Sequence, residues 1–463
     1  MANAIRGPSV KEPAGATPAA GTAITRRAVE AISALTGEPA WMREQRLAAW
    51  GLYESLPLPG PTVEEWRRTD ISGLRLDALR TLADGAGPAG ASAAGGFAAA
   101  SSPPQASNIL AAEGRAGLLV QRDGRTVQHS LDEALRQQGV LFLDLDHAAQ
   151  QAPDLVREHF LSVVRPDEVK FRALHTALRA GGTFLYVPPR VEVALPLITT
   201  TWLDTPGAVL SPHTLLVAGE GSNVTFIDLY GSEALDRQTV ASGAAELILL
   251  DGAQVRYVAF QAWGGNVWDF SMVRAHLGRD AGLHSLIVGF GGTLVKTDVE
   301  SKLRGPGAHS EMLGLYFADD TQHFDYHTLQ EHLAPHTLSD LLYKGSVKDR
   351  ARTVFSGLIR VHPGAQKTNA FQSNRNLILN SGAKSDSIPK LEIMANDLRC
   401  THGSATSRLN DEHLFYLMSR GLTRRQAVQM VVDGFFAEVL DRVPLAGFDW
   451  YLRKEIGRKI AEM

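Results

Sequence analysis

The 463-residue chain holds one cysteine, Cys400, and two positions later a histidine, His402. On an extended strand, residues i and i+2 project to the same side, so a thiolate and an imidazole would face one partner. Both are ligands for zinc or for iron–sulfur chemistry. A Cys–His nucleophile is a second option. It needs His402 to lower the thiol pKa and a third group to orient the imidazole, and no third group is recognisable. The bland alternative is a small buried hydrophobe beside a structural histidine, and on composition alone it ranks first. A lone cysteine makes no internal disulfide and no four-thiolate metal site, which fits a reducing compartment.

Four of the 15 histidines lie close together, at His323, His327, His332 and His336. A metal site is one reading. Without cysteine or a regular ligand spacing, turn capping and backbone hydrogen bonding is the better one. Asp319, Asp320 and Asp325 resemble the acidic clusters of strand-solenoid polysaccharide enzymes, but aspartates at turns are usually turn formers. The chain has no G-x-x-x-x-G-K-[ST], no G-x-S-x-G elbow and no H-E-x-x-H, and Gly305-Pro306-Gly307 does not extend to G-x-G-x-x-G, which lowers the case for common ATPase, dehydrogenase, hydrolase and zinc-protease mechanisms. Lys plus Arg is 46 against Asp plus Glu at 50, so no basic excess asks for nucleic acid and no charge block asks for a membrane surface. No apolar run approaches the roughly 18–20 residues that span a bilayer, and the N-terminus has no secretory core.

The elements that must position these groups fall into three regions behind a short tail. Residues 1–24 read as a solvated, disordered tail. Residues 25–180 read as a mainly helical domain. Thr25 caps its first helix, Gly37 and Pro39 stop it, and helical patterns recur at Phe160–Val164 and Phe171–Leu178. Within it, 83–107 is rich in Ala, Gly, Ser and Pro and reads as a flexible linker. From about Phe184, short β-prone runs punctuated by Gly, Asn and Asp follow one another for some two hundred residues. A strand solenoid accommodates that length, each rung covering its neighbour's edges, with eight to ten rungs at roughly 20–29 residues per turn. This β core is set at 181–399, and a C-terminal helical domain at 400–463. In the latter, Asn410 caps a helix ended by Gly421, and Thr423 and Gln426 have capping-box spacing. The apolar stripe from Ala427 to Leu440 docks either on its own domain or on another subunit.

Several of these segments together resemble the SufB/SufD family of iron–sulfur cluster assembly scaffolds. They are Gln322-His323-Phe324-Asp325, Thr328-Leu329-Gln330-Glu331-His332, Gln372-Ser373-Asn374-Arg375-Asn376 and, most specifically, Asp397-Leu398-Arg399-Cys400-Thr401-His402-Gly403-Ser404. The resemblance covers about Phe184 to the C-terminus. Glu64-Glu65-Trp66-Arg67-Arg68-Thr69-Asp70 resembles a SufD signature, and the single cysteine also favours the SufD side over the SufB side. The resemblance implies a right-handed parallel β-helix flanked by N- and C-terminal helical domains. It implies a non-catalytic scaffold that pairs with a SufB-like chain through the β-helix and docks a SufC-like ATPase through helices at 411–443. It places Cys400 and His402 at an interface metal site shared with the partner. No cofactor is then bound stably by this chain alone, and a nascent iron–sulfur cluster is shared with SufB. A homodimer in isolation and a cytoplasmic setting complete the expectation, with no nucleic-acid or membrane partner. The competing readings are a strand-solenoid enzyme acting on carbohydrate or acyl groups, and a SufB-like paralogue.

Overall fold

A computed structural model describes residues 24–82, 114–443 and 446–461. The stretch expected to be a linker at 83–107, and all but the last residue of the expected tail, lie outside these residues.

From Ala244 onward, successive strands alternate between two parallel sheets that face each other across a packed lumen. One sheet ends on Leu294–Leu303, His323–His332, Arg352–Val361 and Lys384–Ile393. The other ends on His309–Ala318, Leu338–Val347, Thr368–Ile378 and Leu398–Arg408. The result is a mainly β solenoid of about 8 turns, flanked by N- and C-terminal helices. Leu294 pairs with His323 and His323 with Arg352, a step of 29 residues each time. Each interior strand of the stack bonds the one above and the one below, so the length grows without leaving free edges along the way.

Alternation fills the lumen. On His323–His332, Phe324, Tyr326, Thr328, Gln330 and His332 are buried, and Phe324 and Tyr326 join the central apolar cluster. A run of rings continues through Tyr316, Tyr326 and Tyr343, with Tyr316 and Tyr326 stacked at 5.0 Å. The glycines beside them make the room. A Cβ on Gly345 would lie 1.9 Å from the Tyr316 ring, and one on Gly314 would lie 2.3 Å from Tyr343. These strand glycines therefore serve close side-chain packing rather than a turn.

The N-terminal region begins as its sequence requires. Thr25 accepts from the Ala28 amide, the first helix runs Arg26–Thr36, and Gly37 ends it in the left-handed region. The region also carries short strands. Gly117–Arg122 and Arg125–Leu131 form a hairpin on the end of one sheet, and Leu141–Asp144 runs antiparallel on the end of the other. The helical pattern read at Phe160–Val164 is instead a turn, with Leu161 at φ 57°. The cause is the buried Glu246 carboxylate, which accepts the amides of Leu161, Val163 and Val164 that a helix would have used.

The solenoid also runs further than the boundary at 399. Leu398–Arg408 completes the last turn, and the helices begin at Asp411 behind the Asn410 cap. Cys400 and His402 thus sit on the last strand and not in the helical domain. The Thr423–Gln426 capping box is present, and Arg424–Leu440 follows it. The apolar stripe of that helix lies on its own chain: Ala427, Val428, Val432, Phe436, Val439 and Leu440 join a cluster with Leu313, Leu315 and Leu342 on the outer face of the sheet. Lys344 fastens it by donating to the Phe435 carbonyl at 2.8 Å and pairing with Glu438 at 2.6 Å. Among the described residues, no helix is long and apolar enough to cross a membrane.

Candidate functional site at the open end of the solenoid

The two ends of the solenoid differ. At the first turn, antiparallel strands cap both sheets. At the last turn, Lys384–Ile393 and Leu398–Arg408 are the terminal strands of their sheets and carry no further strand among the described residues. Each therefore presents backbone donors and acceptors on one side.

Cys400 and His402 lie on this last strand. Cys400 pairs in register with Ala370, and His402 with Gln372. Ala370 and Gln372 are buried lumen positions. In-register neighbours of a parallel ladder share a face, so Cys400 and His402 both stand over the lumen mouth, as the i, i+2 spacing anticipates. The free Cys400 is half-buried against the small cluster of Ile359, Val361, Ala365 and Ala370, and His402 is exposed. Burial pushes the Cys400 thiol above its ordinary value, against a backbone hydrogen bond from Ala370 that pulls the other way. Across the mouth, Leu391 and Ile393 are 37% and 42% exposed, a large fraction for aliphatic side chains at positions that one turn earlier are the buried Ile359 and Val361.

Among the described residues, no group of three or more His, Cys, Asp or Glu is arranged to hold a metal ion. By themselves Cys400 and His402 offer one thiol and one imidazole. Beneath it the lumen turns polar. His332 is fully buried and bonds Thr337 at 2.7 Å and Ser339 at 2.8 Å, and Gln330 donates to Ser339 at 2.7 Å. Gln372 donates to the Gly357 carbonyl at 3.4 Å.

The other candidates do not gather. His323 and His327 point outward, His332 points into the lumen, and His336 occupies a turn at φ 59°. His323 lies 3.3 Å from Thr69 Oγ1 and His327 lies 3.0 Å from Asp325. Asp319 pairs with Lys459 at 2.6 Å, and Asp320 forms a turn at φ 49°. Asp325 is committed to Lys296 at 2.9 Å. Burial alone would raise the Asp325 carboxyl, but Lys296 and His327 outweigh it and hold it below the usual range.

Sequence reasoning missed this buried pair and what closes over it. Thr69 donates to Asp325, and Lys296 lies 5.0 Å over the Trp66 ring, which stacks on Phe171. The Glu64–Asp70 segment thus straps the N-terminal region onto the solenoid. The available signal was the run of charges Lys296, Asp298, Glu300 and Lys302 alternating with lumen residues on one strand. A second surface lies on the C-terminal helices. Phe415 is 74% exposed, and Tyr416, Met418, Met430 and Trp450 are also exposed. A groove of about 480 Å³ between the last two helices is lined by Leu422, Arg425, Gln429, Met430 and Gly457.

Comparison with known proteins agrees with this architecture. Residues 201–435 match the family model described as SUF system FeS cluster assembly, SufBD core domain, and residues 117–198 match the SufBD protein N-terminal region. The iron–sulfur cluster assembly protein SufD of Bacillus subtilis (strain 168) is 30% identical over 436 residues, covering 91% of this chain and 95% of the relative. The SufB of the same organism is 28% identical over 427 residues, covering 91% and 90%. A SufBD family protein of Staphylococcus epidermidis is 28% identical over 429 residues, with the same coverage.

Proposed function

The chain belongs to the SufBD family of iron–sulfur cluster assembly proteins, and from that membership we propose that it is the SufD-like subunit of a Suf scaffold. Its role is to pair with a SufB-like chain, dock a SufC-like ATPase and hold one side of a nascent cluster. The observation that carries this reading is the partial donor set at a bare solenoid end: Cys400 and His402 stand over the mouth, on a strand with an unpaired edge. A cluster usually takes four protein ligands, so two must come from a partner chain or from small ligands. The bare edges suit a partner of the same architecture, which would extend both sheets by strand addition and cover Leu391 and Ile393. The cluster is cargo built there and passed on, not a resident cofactor.

The single cysteine favours the SufD-like role over the SufB-like one, since the sulfur-accepting chain needs more thiols. The sequence has no P-loop, so ATP hydrolysis belongs to the docked ATPase, and the exposed Phe415, Tyr416 and Met418 face is its contact. Closure of two such ATPases pulls on these helices and opens the interface around Cys400. The family's assembly chemistry suits a cytoplasmic setting. The solenoid-enzyme alternative loses its acids, since Asp319 and Asp325 are both held in ion pairs.

The test is cluster content. In the reconstituted complex, Cys400→Ser and His402→Ala should each lower bound iron and acid-labile sulfide several-fold without dissociating the subunits. Unchanged iron and sulfide in both variants would refute the shared site.

A further inference from the structure

Gln372 lies directly beneath His402 in the parallel register and is 1% exposed. Its Nε2 donates across the lumen to the Gly357 carbonyl at 3.4 Å, which fixes how the amide faces. Space for that amide comes from the missing side chain at Gly357, where a Cβ would meet the Gln372 amide at 2.5 Å. The other end of the amide, Oε1, is buried and has no hydrogen-bond partner. A buried acceptor without a donor costs free energy, and the rung above offers an imidazole N–H in the same column. A histidine that ligates a metal through one ring nitrogen characteristically donates its other N–H to a carboxylate or carbonyl oxygen, which selects the tautomer and orients the ring.

We infer that Gln372 is a positioning residue for His402: when a partner covers the open end, Gln372 Oε1 accepts the N–H of one ring nitrogen and leaves the other free to bind metal at the mouth. Gly357 belongs to the same device because it leaves the amide room to lie flat. This inference rests on the reading of His402 as a ligand. It adds to that reading a residue one turn inside the solenoid that touches neither metal nor sulfur.

The test uses the complex with its SufB-like partner, with this chain labelled with ¹⁵N-histidine, metal-free and at about pH 8, where an ordinary imidazole is neutral. His402 is assigned by its loss in His402→Ala. Wild type and Gln372→Glu, which keeps an oxygen acceptor, should show one tautomer. Gln372→Met, similar in shape but without an acceptor, should show a mixture of both, and a parallel iron-loaded sample should retain about tenfold less iron after gel filtration. Gly357→Ala, which displaces the amide without changing Gln372, should match Gln372→Met and keeps the test open if that variant folds poorly. If Gln372 only fills space, the order inverts: Met is tolerated and Glu, a buried charge, does the damage. That inversion, or a single tautomer in Gln372→Met, overturns the inference. If His402→Ala leaves iron and sulfide unchanged, the ligand reading fails instead, while the tautomer ratio still reports on the Gln372–His402 bond.

Discussion

Three backbone amides and an imidazole converge on one buried carboxylate, Glu246, which takes Leu161 and Val163 at 2.7 Å, Val164 at 3.0 Å and His213 at 2.9 Å. His213 in turn meets His175 at 3.0 Å, and His175 meets the Ser242 carbonyl. Burial, and His213 beside it, push His175 down to about 3. His175 is therefore neutral at ordinary pH, and the relay acts as a brace. Glu246→Leu would leave those donors without an acceptor, and the account expects a loss of about 4 kcal/mol in urea unfolding. A loss below about 1 kcal/mol would show that the turn satisfies its own amides. Asp269 gives a second test at this scale. Burial pushes its carboxyl up to about 6 from 3.8, against hydrogen bonds from Ser271, Trp263 and Gln261. A carboxyl with a raised folded-state value favours the fold while protonated and loses that contribution as pH rises from the unfolded value through the folded one. Asp269→Asn removes the loss. Its stability relative to wild type should improve by about 1–2 kcal/mol between pH 5 and pH 8, read from denaturation at both values. An equal effect at both pH values would contradict the assignment. Of these residues, only Cys400 and His402 were legible in the sequence, because their relation is local. Glu246 and the amides it serves are some eighty positions apart, and nothing in the spacing joins them.

At the scale of elements, the succession of β-prone runs made the solenoid readable as a whole, but a strand with a charged outer face is harder to read than its neighbours. Leu294–Leu303 shows why. Val295, Val299 and Leu303 fill the lumen, but Lys296, Asp298, Glu300 and Lys302 alternate with them on the outside. Asp298 and Glu300 meet Arg172 and Arg274 of other elements, so that outer face is half-buried yet reads as polar. Local capping was legible where it depended on one side chain, as at Thr25, Asn410 and Thr423. The partner of the Arg424–Leu440 stripe was not, since amphipathicity does not say which surface receives it. That stripe now makes a prediction. Phe436 is fully buried between helix and sheet, and Phe436→Ala should cost about 3–5 kcal/mol of local stability. Hydrogen exchange should quicken across 424–440 while the central strands keep their protection. Uniform loss of protection would mean that the helices and solenoid open as one unit.

At the scale of the whole molecule, the asymmetry of the ends is the decisive feature. Among the described residues, one end is finished by antiparallel strands and the other exposes two edges, an aliphatic rim and the Cys400–His402 pair. An edge of that kind is an aggregation hazard unless something covers it. Leu391→Glu together with Ile393→Lys should abolish pairing with a partner chain while shifting the stability of the free chain by only about 0.5 kcal/mol, because both side chains are exposed. Sedimentation and thermal melts read the two effects separately. An intact complex in the double variant would move the interface elsewhere on the molecule. The most direct measurement is native mass spectrometry of the tagged chain purified anaerobically with its endogenous partners. The account predicts one copy of this chain with one SufB-like chain and two copies of a P-loop ATPase. Recovery of only the monomer or a homodimer, under conditions that keep labile complexes together, would contradict it.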